Sequence, residues 1–275
     1  MREAVIVSAA RTAVGRAKKG SLRDTRPEYF ASKMIEGLVE RTPGLEKEMV
    51  GDIIMGCAMP EGEQGMNVAR LIGLAAGFPT EVPAITVNRF CCSGSQTIAL
   101  AADSIRAGNA DVVIAGGVES MSMVAMGGNK PIAYPGLMKS MPNAYAAMGT
   151  TAEVVAKRFE ITREMQDEFA YNSHRKAVAA LEAKKFADEI IPLDVRVREN
   201  GSWRELVFDT DEGPRADTTV EGLARLKPVF DPRGTVTAGN ASQITDGAAA
   251  LVLASGQRAR ELGLPVMGRI RSWAF

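Results

Sequence analysis

The sequence predicts an α/β layered fold, because short apolar runs alternate with helical patterns along its first part. Four runs read as strands: Ala4–Ser8, Asp52–Cys57, Ala84–Val87 and Val112–Ala115. Each is short, rich in Val and Ile, and bounded by turn-forming residues. Between them, Pro27–Glu40, Asn67–Ala76 and Ser93–Ala107 carry the 3.6-residue apolar spacing of helices. Such alternation buries both faces of a sheet under helices. The Ala-rich stretch Ile98–Ala102 suits a helix packed closely within those layers.

The pattern changes after Glu119. Residues 121–148 are rich in Met, Gly and Pro, and a connection of that length is expected to be functional or part of an insertion. Two helices follow, one over about Thr151–Phe159 and one opening at a Thr162 cap and running toward Lys185. A strand over Ile191–Val197 then meets an Asn200-Gly201 hairpin turn, and a polar acidic stretch runs on through Asp217. Strand Gly247–Ala254, a short helix near Gln257–Leu262 and a last strand beginning at Met267–Ile270 return to the first pattern. The expected organisation is therefore one α/β domain over 1–120 and 240–275, with 121–239 inserted as a loop domain. The last strand, if unpaired, would leave open backbone groups at the sheet edge.

Composition bounds the partners. With 46% hydrophobic residues, the 275-residue chain is long enough for a sizeable core. Lys plus Arg total 33 and Asp plus Glu total 33, so a formal net charge of +0 makes no electrostatic case for nucleic acid or an anionic membrane. No apolar stretch approaches the roughly 20 residues needed to span a bilayer. Three cysteines, two of them adjacent, do not form a disulfide framework, which points to a reducing, cytoplasmic setting. The apolar run Ala4–Ala10 has neither the length nor the flanks of a signal peptide and reads as a strand.

The sharpest local feature is Val87-Asn88-Arg89-Phe90-Cys91-Cys92-Ser93-Gly94-Ser95, where a strand turns into a helix. A thiol at a helix N-terminus faces the positive end of the macrodipole and unpaired N–H groups, which favour thiolate over thiol. The same N–H groups can stabilise an oxyanion on a bound acyl group. Small residues at Ser93, Gly94 and Ser95 leave room for a ligand. On position alone, two small buried cysteines capping an internal helix are the more common explanation of the feature.

Resemblance shifts that balance. The segment 87–94 closely resembles the nucleophile signature of thiolases. Glu3–Arg16 resembles the family's first strand and turn, and Gly116–Ser122 the segment that closes its first block. Gly239-Asn240-Ala241-Ser242-Gln243-Ile244-Thr245-Asp246-Gly247-Ala248 is similar to the family's GNAS-x-x-x-DGA signature. All four stand in family order, and the resemblance spans essentially the whole chain. It implies a thiolase-type layered fold with a mixed sheet and a loop subdomain contributing to the coenzyme A site. It also implies an acyltransferase of fatty acid metabolism, moving acyl groups between coenzyme A thioesters by 3-ketoacyl-CoA thiolysis or acetoacetyl-CoA formation. Acyl-CoA and coenzyme A are then substrates, no cofactor or metal is needed, and the full-length form is a homodimer or homotetramer.

Residue by residue, Cys91 aligns with the nucleophile that carries the acyl group as a thioester. Ser242 and Met148 align with residues contacting coenzyme A near its pantetheine arm, and Arg215 falls where the family often has a basic residue near the nucleotide; Phe230 is a candidate to pack on pantetheine, with a core role the equal alternative. Cys92 stands where the family commonly has Gly or Ser, and is read as packing. Ala147 stands where biosynthetic members usually carry His, which favours a degradative 3-ketoacyl-CoA thiolase.

Three family elements are not found in these 275 residues: an Asn-Glu-Ala-Phe segment, a Gly-His-Pro segment and a second cysteine in a Gly-rich loop. The lone histidine, His174, lies mid-helix among polar neighbours and reads as a surface residue. Phe275 falls where the family's first half gives way to its second, so the expectation is a truncated chain, inactive by itself. The competing expectation is a non-catalytic acyl-CoA or coenzyme A binding fragment, or a subunit needing a partner.

Overall fold

The structure is a computed structural model and describes residues 2–275. In chain order its elements are β1 (Ala4–Arg11), β2 (Gly15–Arg16), α1 (Pro27–Glu40), β3 (Asp52–Gly56), α2 (Val68–Ala75), β4 (Ala84–Val87), α3 (Ser93–Ala107) and β5 (Val112–Ser120). There follow α4 (Pro135–Ser140), α5 (Met148–Arg158), α6 (Arg163–Glu182), β6 (Leu193–Glu199), β7 (Ser202–Phe208), α7 (Val220–Ala224), β8 (Thr245–Ser255), α8 (Gly256–Glu261) and β9 (Gly268–Arg269).

The main sheet is mixed, with strand order β4-β3-β5-β8-β1-β9 and β2 paired to β8. Strand β3 runs parallel to both β4 and β5, whereas β5–β8, β1–β8 and β1–β9 are antiparallel. Both faces are covered, as the alternation predicts. On one face Ile54, Val113, Ala115 and Leu253 pack with Ala101, Ala102 and Ile105 of α3. On the other, neighbouring Ile53 reaches Gly73 of α2, since successive strand residues point to opposite faces. Helix α1 starts at Pro27, whose fixed φ suits a first helical position, and buries Phe30, Met34, Ile35 and Leu38 completely.

The chain divides into two compact units. The first comprises 1–129, 187–212 and 244–275; the second comprises 130–186 and 213–243. The insertion expected over 121–239 thus contributes to both, because Ala187–Glu212 returns to the first. Ile191 N–H donates to the Arg11 carbonyl at 2.8 Å, and the Arg11 guanidinium meets Glu189 and, through two bonds, Asp211. Glu212 accepts from Arg16 N–H and from both N–H and Oγ of Ser21. The acidic stretch therefore organises the turn after β1.

Three details go beyond the sequence pattern. The terminal strand is not unpaired: β9 joins β1, with Val5 opposite Arg269 and Ile6 opposite Gly268. The acidic stretch holds a strand, β7, which completes a hairpin with β6 across Asn200 and Gly201, both at positive φ as a two-residue hairpin turn requires. The Met- and Pro-rich connection is not featureless, since it contains α4 and a 3₁₀ turn at Pro142–Tyr145. Among the described residues no helix is long and apolar enough to cross a membrane.

Candidate functional site

The cysteine turn sits at the carboxyl ends of the parallel strands, where open α/β sheets place their ligand sites. Strand β4 ends at Val87, a 3₁₀ turn spans Phe90–Cys92, and α3 begins at Ser93. Phe90 has φ +47°, a left-handed conformation that costs a non-glycine residue about 1–2 kcal/mol. Side-chain hydrogen bonds hold it there. Asn88 Oδ1 accepts from Phe90 N–H at 2.8 Å, an Asx-type turn. Ser93 Oγ accepts from Arg89 N–H at 2.8 Å and donates to the Phe90 carbonyl at 2.7 Å.

The result is an exposed Cys91 thiol one residue ahead of the α3 N-cap. Beside it, a Cβ added at Gly94 would meet nothing within 4 Å, so the approach is open. Cys92 is only partly exposed, and its thiol donates to the Arg89 carbonyl at 3.3 Å. The two adjacent cysteines are thus physically distinct: one faces solvent, the other satisfies the backbone.

Two neighbours fix the turn from below. A Cβ at Gly56 would lie 2.7 Å from Ser93 Cβ and 2.8 Å from its carbonyl carbon, so β3 and the start of α3 can approach this closely only without a side chain there. Thr97 Oγ1, buried, lies 2.8 Å from the Gly94 carbonyl and 3.0 Å from that of Gly116, which ties the first turn of α3 to β5.

The third cysteine is of another kind. Cys57 is buried at the end of β3, with its Sγ 3.7 Å from Glu119 Oε1. Burial first, and then the Glu119 charge, push its thiol from an ordinary 9.0 up to about 12. At pH 8, iodoacetamide is therefore expected to label Cys91 and leave Cys57 untouched until the chain is denatured, as read by peptide mass mapping. The proton held in the folded state also sets a pH dependence. Because the folded value is raised, its contribution to stability is complete below about pH 9 and falls away between about 9 and 12. The melting temperature of Cys57→Ser should accordingly fall less than that of the wild type between pH 9 and 11; equal losses would contradict this.

Glu119 itself, at the end of β5, accepts from Ala58 N–H at 2.7 Å, Met59 N–H at 3.3 Å and Gln64 Nε2 at 2.7 Å. The buried Asp246, opposite Ser120 in the β5–β8 ladder, accepts from Ser122 N–H at 2.8 Å and from its hydroxyl, and burial raises its carboxyl above the usual range. Glu119 and Asp246 lie inside the Gly116–Ser122 and Gly239–Ala248 motifs, which by themselves assign neither carboxylate a role. The one local signal is a carboxylate at the edge of an otherwise apolar or small-residue run, closing it at Glu119 and opening it at Asp246.

The four candidate ligand contacts all belong to the second unit. Met148 opens α5 and is exposed; the Phe230 ring lies against Gly149, the next residue, so these two candidates are together. Ser242 is exposed, with its hydroxyl 3.2 Å from the Gln243 carbonyl. Arg215 is exposed on a cleft of about 250 Å³ with Arg175, Glu182 and Thr218, and hydrogen bonding to Asp217 raises its guanidinium above the ordinary value. Its backbone N–H donates to His174 Nδ1 at 3.1 Å. His174 is partly buried and engaged in holding this loop.

The protein-family comparison matches the thiolase N-terminal domain over residues 4–257. The chain is 49% identical to a 3-ketoacyl-CoA thiolase of Bacillus subtilis, an alignment covering 100% of this chain and 71% of that protein. It is 46% identical to a 3-ketoacyl-CoA thiolase of Saccharophagus degradans, covering 100% and 69%. Among solved structures, the Bacillus anthracis acetyl-CoA acetyltransferase superposes with a TM-score of 0.85 at 40% identity, covering 98% of this chain and 70% of that one. A mixed sheet of this order, matched in sequence and in structure along nearly its whole length, makes the chain a member of the thiolase family of acyltransferases.

Proposed function

We propose that Cys91 is the acyl-carrying nucleophile and that the acyl donors are coenzyme A thioesters. The observation that carries this is an exposed thiol on a turn held at the N-terminus of the 15-residue helix α3, with open space beside it. In the first half-reaction the Cys91 sulfur attacks the thioester carbonyl. A new S–C bond forms, the bond from the carbonyl to the coenzyme A sulfur breaks, and coenzyme A departs as a thiol with the proton from Cys91. The helix dipole and nearby N–H groups favour the negative charge that builds on the carbonyl oxygen. A covalent intermediate divides a difficult exchange into two easier ones.

In this reading Ser242, Met148, Phe230 and Arg215 take coenzyme A, the first three at the pantetheine arm and Arg215 at the nucleotide end. Arg215 then exchanges Asp217 for phosphate. The names of the similar proteins, together with Ala147, support a 3-ketoacyl-CoA substrate and the degradative direction. No metal or other cofactor enters the chemistry. Free thiols suit a reducing, cytoplasmic setting. The edge strand β4, with Ile85 48% exposed, supports self-association into a homodimer or a larger homo-oligomer.

A polypeptide of these 275 residues offers a nucleophile, but its one histidine is engaged with Arg215 N–H and the second cysteine that the family uses as acid/base for the other substrate is not among them. It is expected to accept an acetyl group without turning over. Incubation with acetyl-CoA should add the mass of one acetyl group, mapped to Cys91, while acetoacetyl-CoA thiolysis stays at background. Coenzyme A binding by calorimetry without acyl uptake would instead favour a binding fragment; steady thiolysis near 1 s⁻¹ or faster would overturn the half-reaction reading.

A further inference from the structure

We propose that Glu119 is a positioning residue for the nucleophile turn, acting through residues 57–59 and Asn88. The proposal rests on the assignment of Cys91 as the acyl carrier. Its basis is a continuous set of hydrogen bonds across the carboxyl ends of three parallel strands. The Glu119 carboxylate, at the end of β5, takes the N–H groups of Ala58 and Met59, the Gln64 amide and the Cys57 thiol, all on the segment that follows β3. That segment presents the Ala58 carbonyl to Asn88 Nδ2 at 3.0 Å, just past the end of β4. The other end of the same amide, Asn88 Oδ1, takes Phe90 N–H at 2.8 Å and keeps Phe90 at positive φ immediately before Cys91.

Every group facing Glu119 in this set is a donor, so an acceptor-only side chain is required. Glutamine is nearly the same size yet fails. With its NH2 toward Ala58 it opposes an N–H; turned over, it opposes Met59 N–H and Gln64 Nε2. Gln64 cannot rotate to relieve this, because its Oε1 is already committed to Ser120 N–H and its Nε2 also donates to the Met59 carbonyl. Gln64 is completely buried, which removes water as a substitute partner. The 57–59 segment must therefore shift, Asn88 loses its carbonyl, and the strained Phe90 conformation loses its clamp. The charge at position 119 thus places the sulfur without touching the substrate.

The experiment compares Glu119→Gln, Asn88→Asp and the double variant with the wild-type chain. Asn88→Asp keeps an acceptor for Phe90 N–H but puts an oxygen against the Ala58 carbonyl; because Asn88 is exposed, this variant should fold even if Glu119→Gln does not. Two rates are read on Cys91 at pH 8: acetylation as a function of acetyl-CoA concentration, and alkylation by iodoacetamide. The expected result is a limiting acetylation rate 10-fold or more below wild type in each single variant. The half-saturating concentration and the iodoacetamide rate should each change less than 3-fold. The double variant should be no slower than the slower single one, since both changes break one linkage. A limiting acetylation rate within 3-fold of wild type in a folded variant overturns the positioning role, as does an equal fall in both rates or additive losses. Absence of acetylation in the wild type, or its survival in Cys91→Ala, overturns the Cys91 assignment itself.

Discussion

Replacing Cys91 with alanine is expected to abolish acetyl uptake from acetyl-CoA, a fall of about 10³-fold or more, while Cys92→Ala retains it. The two thiols are adjacent in sequence, so composition cannot separate them, but their surroundings can. Cys91 is exposed at a turn with open space next to it, whereas the Cys92 sulfur is held on the Arg89 carbonyl at 3.3 Å. Cys57, the remaining thiol, is buried, and burial pushes it up to about 12. Intact mass measured against time, followed by peptide mapping, gives the answer directly. Acetylation found on Cys92, or undiminished in Cys91→Ala, would sink the assignment.

The second large effect is on stability. Gly116→Ala is expected to destabilise the chain by about 3 kcal/mol, the upper range for overpacking a core. Gly116 pairs with Ala250 across the β5–β8 ladder at the middle of the mixed sheet. A Cβ there would lie 2.3 Å from the Ala249 carbonyl oxygen, 2.7 Å from Ala250 Cβ and 2.9 Å from Ala250 Cα. Two of those atoms are backbone, and β8 is held on its other side by β1, so the strand has nowhere to retreat. Urea unfolding followed by circular dichroism should show a lower midpoint with an unchanged slope. A loss below about 1 kcal/mol would mean the sheet yields at this point after all.

The elements that local chemistry punctuates were legible without coordinates. Helix α1 has the expected bounds because Pro27 starts it, and α3 because Gly108, at φ +83°, ends it in the left-handed conformation. Thr162 caps α6 as expected, accepting from Met165 N–H. The strand-to-helix turn carrying Cys91 was legible for the same reason: apolar run, turn and small residues follow one another directly over residues 84–95. Strand β7 was missed because its burial is confined almost to Phe208, so its residues read as a polar stretch. Met148, not Thr151, opens α5, without a side-chain cap to mark the start.

By itself, the sequence determined the alternation of strand and helix, the place of the thiol at a helix start and, through its motifs, the family. Only the tertiary structure decided which thiol is open, which is buried, and what holds the turn. Those depend on partners far apart in the chain: Glu119 reaches residues 57–59 because β3 and β5 pair in parallel, and Val5 meets Arg269 because β9 returns to β1. Patterns of period 2 or 3.6 specify which face of an element is apolar, but not which other element will cover it.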